Sequence, residues 1–132
     1  MVNVPGPAAY FSQEDSAPRV RDRLRRLLAG YEGQMAVIGT GTHVLCAIDR
    51  LLAGLADLEG DHECADRLFA SALAQERGVQ SPPLAARTQH WWGRSLRRRH
   101  NDARARPLLE DARVAASALG MAGLLRQLDS LD

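Results

Sequence analysis

Residues 61–78 read DHECADRLFASALAQERG, and the spacing of their apolar members decides the fold. Ala65, Leu68, Phe69, Ala72 and Leu73 fall at i, i+3, i+4, i+7 and i+8, which lays them on one face of an α-helix without a miss. Asp61 stands where an N-cap belongs, and Gly78 stops the run. Forty residues on, 101–118 read NDARARPLLEDARVAASA and repeat the pattern. The same shift lays Leu52 on Trp92, Ala53 on Gly93, Ala65 on Ala105, Phe69 on Leu109 and Ala72 on Ala112. Small residues at matched places let two antiparallel helices approach closely, and the large residue fills the groove between them. A hairpin of this kind leaves one face uncovered, so the copies are expected to stack.

Working outward, the chain reads as an all-α domain of about six helices in stacked antiparallel hairpins. Residues 1–16 carry Pro5, Gly6 and Pro7 with no apolar period and read as a flexible N-terminal arm, leaving 17–132 as the helical domain. Val20, Leu24, Leu27, Leu28 and Tyr31 give a first helix behind a Ser16 cap, ended by Gly30 and Gly33. Met35 to Thr42 is either loop or the first turn of the next helix. The second helix takes Leu45, Ile48, Leu51, Leu52, Leu55 and Leu58, and Gly60 closes it. Ser81 with Pro82 and Pro83 starts the fourth, which carries Thr88, Trp91, Trp92, Ser95 and Leu96 to about His100. Asn101 or Asp102 caps the fifth, and Pro107 is expected in or near its first turn, because deeper inside it would cost about 3 kcal/mol. Leu124, Leu125, Leu128 and Leu131 form a short last helix that lids the stack, and no strand pattern competes anywhere.

Ala53, Ala65, Phe69 and Ala72, then Gly93, Ala105, Leu109 and Ala112, are residues at the positions where the tetratricopeptide motif places its small and large seam residues. The chain resembles that family, with a period of 40 instead of the usual 34 and the excess around Gly78 to Pro83. A closer resemblance covers most of residues 24–125. Leu27-Leu28 to Tyr31 with Gly33, Leu51-Leu52-Ala53, Leu84 to Thr88 and Ala118 to Met121 look like the C-terminal repeat region of large bacterial ATP-binding regulators of the LuxR-type and adenylate-cyclase-linked kinds. The resemblance implies an interaction or sensor segment of a signalling protein, in a regulatory, transcription-associated setting. The P-loop, cyclase domain and DNA-binding helix-turn-helix of those regulators are missing here. The first helix looks like the second half of a hairpin, so the chain is expected to be a fragment, a remnant, or an array that finds its missing neighbour in trans.

Composition sets the outer limits. A chain of 132 residues fits one domain, and all 17 of its basic residues are arginine, which reads as codon pressure in a GC-rich bacterial genome. A net charge of +1 gives no global field for a phosphate backbone, so nucleic acid is not the expected partner. Two cysteines are too few for a disulfide framework and no signal peptide opens the sequence, which points to the cytoplasm. Asp49, Arg50 and Asp57 interrupt the most apolar stretch, so no membrane span is expected.

Several groups of residues have the types that chemistry needs, and each also fits a plainer role. His43, Cys46, His62 and Cys64 invite a zinc reading, with His43 and Cys46 on the second helix, but the spacing fits no zinc template and core or surface packing outweighs it. Gly39-Thr40-Gly41-Thr42 lacks the Gly-Lys-Ser/Thr ending of a phosphate loop and reads as a helix entrance. Glu59, Asp61 and Glu63, and the pair Glu110-Asp111, read as cap and solvent-face charges. No nucleophile, base and orienting group share a place, so an enzyme is not expected, and neither a metal nor a cofactor is assigned.

The best functional patch is basic and aromatic. Trp91, Arg94, Arg97 and Arg98 are the candidate partner-binding residues, beside Arg99 and His100, against the plainer readings of a solvated or internally paired basic face and of two tryptophans packed between hairpins. Trp92 takes the large core position paired with Leu52, whereas Trp91 sits about 100° round the helix. The expected function is a non-catalytic protein-protein interaction module binding a peptide or a partner helix. The alternatives are a homodimer built through the first helix and a small-molecule or nucleotide sensor pocket between helices.

Overall fold

The computed structural model describes residues 17–38 and 43–131. Six helices and one two-stranded sheet make up these residues: α1 (Ala17–Ala29), β1 (Met35–Ile38), β2 (His43–Ala47), α2 (Ile48–Leu58), α3 (His62–Gly78), α4 (Pro82–Arg98), α5 (Asp102–Leu119) and α6 (Ala122–Asp129). The fold is all-α. α2 packs on α3 and α4 on α5, while the α3–α4 contact joins the two pairs; α1 packs on α2 at one end, and α6 on α5 at the other.

The turns explain the 40-residue shift. Gly60, Gln80, His100 and Gly120 all have positive φ, at 81°, 54°, 59° and 69°. After each, the next N–H donates to a carbonyl five residues back: Asp61 to Ala56, Ser81 to Glu76, Asn101 to Leu96 and Met121 to Ala116. This is the Schellman closure, which satisfies a carbonyl the helix end leaves bare. Four turns spaced by twenty residues make each 40-residue hairpin two equal helix-turn units. The side chains at the four accepting positions, Ala56, Glu76, Leu96 and Ala116, are all fully buried.

The expected seam is buried. Ala53, Ala65, Ala72, Ala105 and Ala112 lie inside, and a Cβ on Gly93 would stand 2.5 Å from Leu109 Cδ2, so any larger residue there makes the Leu109 side chain shift. Ile48, Leu52, Leu68 and Phe69 fill the core under α2 and α3, with Phe69 stacked on Trp92 at 6.1 Å between ring centres. Leu124 and Leu128 of α6 close a second core over Ala86, Ala112 and Ala116, as a lid would.

Three readings need correction. Strands do occur: Met35–Ile38 pairs antiparallel with His43–Ala47, with a bulge after Ala36 that leaves Leu45 out of register and exposed. His43, Leu45 and Cys46 therefore belong to β2, and the second helix begins only at Ile48, whose N–H donates to Gln34 O at 2.9 Å. β-Branched Val37, Ile38 and Val44 favour the extended backbone there. Pro107 sits in the second turn of α5, on an exposed face with Ala103, where the carbonyl it leaves unbonded is next to solvent. Ser16 and the proposed arm lie outside the described residues, as does Gly39 to Thr42.

α1 departs most from expectation. Its apolar stripe is only partly covered: Leu28 packs against the core of α2 and α3, but no α1 residue is buried, and Val20, Leu24 and Leu27 are exposed, with Tyr31 exposed just beyond the helix end. Arginines anchor the helix alongside that contact. Arg25 pairs with Glu59 and Asp61, and Arg21 donates to Leu58 O at 3.2 Å.

Candidate partner-binding groove

Between α1, α2 and α4 runs an apolar groove of about 540 Å³. Leu24 and Leu28 form one wall, Leu51, Gly54 and Leu55 the second, and Trp91 with Arg94 and Arg98 the third. Gly54 is what lets the indole lie close: a Cβ there would meet Trp91 Cζ3 at 3.2 Å. The groove exists because α1, anchored by its arginines at the C-terminal end of α2, stands off from α4.

Three of the four residues expected from the sequence meet here. Trp91, Arg94 and Arg98 follow the i, i+3, i+7 row along one face of α4. Arg97 does not join them. It lies about 120° round the helix from Trp91 and lines a polar cleft of about 300 Å³ with Asp102, Arg106 and Glu110.

The charges of the groove are unequal in their commitments. Arg98 is held by Asp57, a nearly buried carboxylate that also accepts from Ser95 Oγ at 2.6 Å and faces His62 Nδ1 at 3.4 Å. Arg94 has its guanidinium carbon 6.0 Å from the centre of the Trp91 ring, and its Nε is buried with no hydrogen-bond partner among the described residues. A buried donor without an acceptor costs free energy, and turning the guanidinium out toward a carboxylate in the groove would relieve it. Arg94 thus gives the groove a polar preference.

Trp92 is committed elsewhere. Its Nε1–H donates to Asp66 Oδ1 at 2.9 Å, and the same carboxylate takes Arg99 at 2.5 Å and Arg104 at 3.0 Å. Burial pushes the Asp66 carboxyl up, but Arg99, the Trp92 indole and Arg104 outweigh it and hold it below its ordinary value. Arg99 is therefore a structural cation.

Beneath the groove lies a polar cluster that sequence reading passed over. Glu76 is fully buried, accepting from Thr88 Oγ1 at 2.6 Å and from Ala47 N–H at 3.2 Å, with Arg50 Nε 3.6 Å away as an ion pair. Burial raises the Glu76 pKa, and Thr88, the Ala47 amide and Arg50 offset part of that rise. Asp49, also buried, accepts from Gly33 N–H at 2.8 Å, Ser71 Oγ at 2.6 Å and Gln75 Nε2 at 2.9 Å. Together the two carboxylates tie the β-hairpin and the turn after α1 to α3 and α4. Arg50 also stands 5.4 Å from the Trp91 ring centre, which couples this cluster to the groove.

Neither a family model, nor a curated protein, nor a solved structure matches this chain.

The metal-reading residues are spread over separate elements. Cys46 is buried on β2, where burial raises its thiol pKa, while Cys64 lies in the first turn of α3 with Arg25 Nη2 at 3.3 Å. His62 faces Asp57, and the His43 side chain lies outside the described ones. Among the described residues no three His, Cys, Asp or Glu side chains gather as a metal site requires. No helix among them is long and apolar enough to cross a membrane.

The groove walls from α1 and α2 escaped sequence reading because Leu24, Leu28, Leu51 and Leu55 have the periodicity of core residues. Periodicity marks an apolar face, not what covers it.

Proposed function

We propose that this chain is a non-catalytic protein-interaction module, a tetratricopeptide-like scaffold of a regulatory, cytoplasmic system, that holds an apolar segment of a partner protein in the α1–α2–α4 groove. The observation that carries the reading is the pairing of an apolar trough with Arg94, which stands beside Trp91 with a buried Nε that has no acceptor among the described residues. Interfaces draw most of their energy from a few aromatic and arginine anchors in desolvated pockets, and Trp91 and Arg94 have that character. Arg98, fixed by Asp57, borders the site and sets its shape.

A small apolar carboxylate is the second reading, favoured by a volume inside the range of roughly 300–1,000 Å³ that small ligands fill. The two separate in one experiment. Affinity capture from cells, followed by binding of each purified candidate, is repeated with Leu55→Glu and with Arg106→Glu as a control outside the groove. Partner binding lost with the first and kept with the second supports the module. Equal binding by both variants would overturn it, and a thermal shift with small carboxylates in the absence of any partner would favour the ligand pocket.

A further inference from the structure

We infer that the occupant of the groove is an acidic amphipathic helix of another protein, and not a second copy of this chain; the inference rests on the groove reading above. α1 carries five arginines against one aspartate and has no acidic residue in its first turn. Arg21 and Arg25 face inward to α2, and Arg26 pairs with Asp22 at 2.8 Å. Arg19 and Arg23 remain exposed with no ion pair among the described residues, in the i, i+4 row that leads to Leu27. The apolar seat is therefore bordered by Arg23 on the α1 side and by Arg94 on the α4 side.

Charge complementarity decides between occupants. A second copy laid stripe to stripe would bring another α1, with its five arginines and one aspartate, against the Arg19 and Arg23 edge, and like charges across an interface are penalised. An apolar row flanked by Glu or Asp would meet both borders with opposite charge. The stack itself specifies a helix: α3 and α4 each have a packed helix on both sides, whereas α1 packs principally on α2. Leu24 belongs to both the groove and the exposed stripe, so one helix laid along α1 covers Val20 and Leu27 and reaches Trp91 across the groove. At 13 residues α1 is about 20 Å long, enough for three turns of a partner.

The test uses the full chain and three probes: a fluorescent amphipathic peptide with Leu at helical spacing and Glu flanks, a twin with Lys in place of every Glu, and vesicles rich in anionic lipid. The Glu peptide should bind at least about tenfold more tightly than its twin, and its affinity should fall as salt rises. The double variant Arg23→Glu, Arg94→Glu should reverse the preference, a result no folding defect produces. Equal affinity for the two peptides would overturn the charge assignment while leaving the groove reading intact. Glu-peptide binding that survives Leu55→Glu would place the peptide elsewhere and remove the groove reading itself. Capture by the vesicles with no peptide preference, or sedimentation as a dimer that Leu24→Glu dissociates, would overturn the inference in favour of a membrane or a second copy.

Discussion

Gly93 faces Leu109 across the α4–α5 seam so closely that a Cβ on the glycine would lie 2.5 Å from Cδ2 and 2.6 Å from Cγ of the leucine. Gly93→Ala gains about 1 kcal/mol of helix propensity and loses more to overpacking, which costs about 1–3 kcal/mol. The expected sum is a net destabilisation, read from the midpoint of urea unfolding. Adding Leu109→Ala should relieve the clash, so the double variant loses less than the two singles together. Strict additivity would contradict the seam.

Glu76 occupies the position that Ala56, Leu96 and Ala116 hold in the other units, and it is there to hold β2 and Arg50. Glu76→Leu leaves Arg50 buried without its anion and should cost about 3 kcal/mol or more. Arg50→Met in the same chain should recover part of that loss. If the single variant is as stable as the parent, the ion pair does not anchor the hairpin.

His90 is only 3% exposed, and burial, with Arg94 and Arg87 nearby, lowers its pKa to about 4. Above pH 6.5 the ring is neutral folded or unfolded, so it adds no pH dependence. Between 6.5 and about 4 the unfolded chain takes up a proton there that the folded chain refuses, and stability falls by up to about 3 kcal/mol. Glu76, whose pKa is raised, works in the opposite sense by binding its proton more readily when folded. Asp66 contributes stability that is lost only below the ordinary carboxylate value. The difference between the parent and His90→Gln across pH 6.5 to 4.5 therefore isolates the ring: the acid-side slope should flatten in the variant, and parallel curves would refute its burial as a neutral group.

His100 and Gln80 hold the left-handed turn positions that Gly60 and Gly120 hold elsewhere. His100→Gly should remove the Cβ strain and raise stability by about 1 kcal/mol, or roughly 4 °C in Tm. Gly60→Ala should lower it by a similar amount. A His100→Gly variant that is less stable would mean the side chain earns its place by contacts.

Helix periodicity made α3, α4 and α5 legible because their apolar faces are covered by one another. The 40-residue shift was visible, but its division into twenty-residue units was hidden by Gln80 and His100, which take a backbone conformation usually marked by glycine. The β-hairpin was missed because Leu45, Ile48 and Leu52 mimic a helical stripe. Val37 and Ile38 before the glycines, with Val44 after them, were the strand signal. Trp91, Arg94 and Arg98 were found as a patch from residue type alone, whereas Arg97 was included for adjacency, which helical geometry does not respect. The buried carboxylates Asp49 and Glu76 were illegible, since their partners come from distant elements.

The two tryptophans permit the most direct test of the groove. Trp91 lines it, while the Trp92 indole N–H is tied to Asp66. In a ¹H–¹⁵N spectrum recorded during addition of the acidic amphipathic peptide, the Trp91 indole signal and the Gly54 amide should shift in saturable fashion, with the Trp92 indole signal nearly still. A titration that moves Trp92 and leaves Trp91 and Gly54 in place would contradict the account.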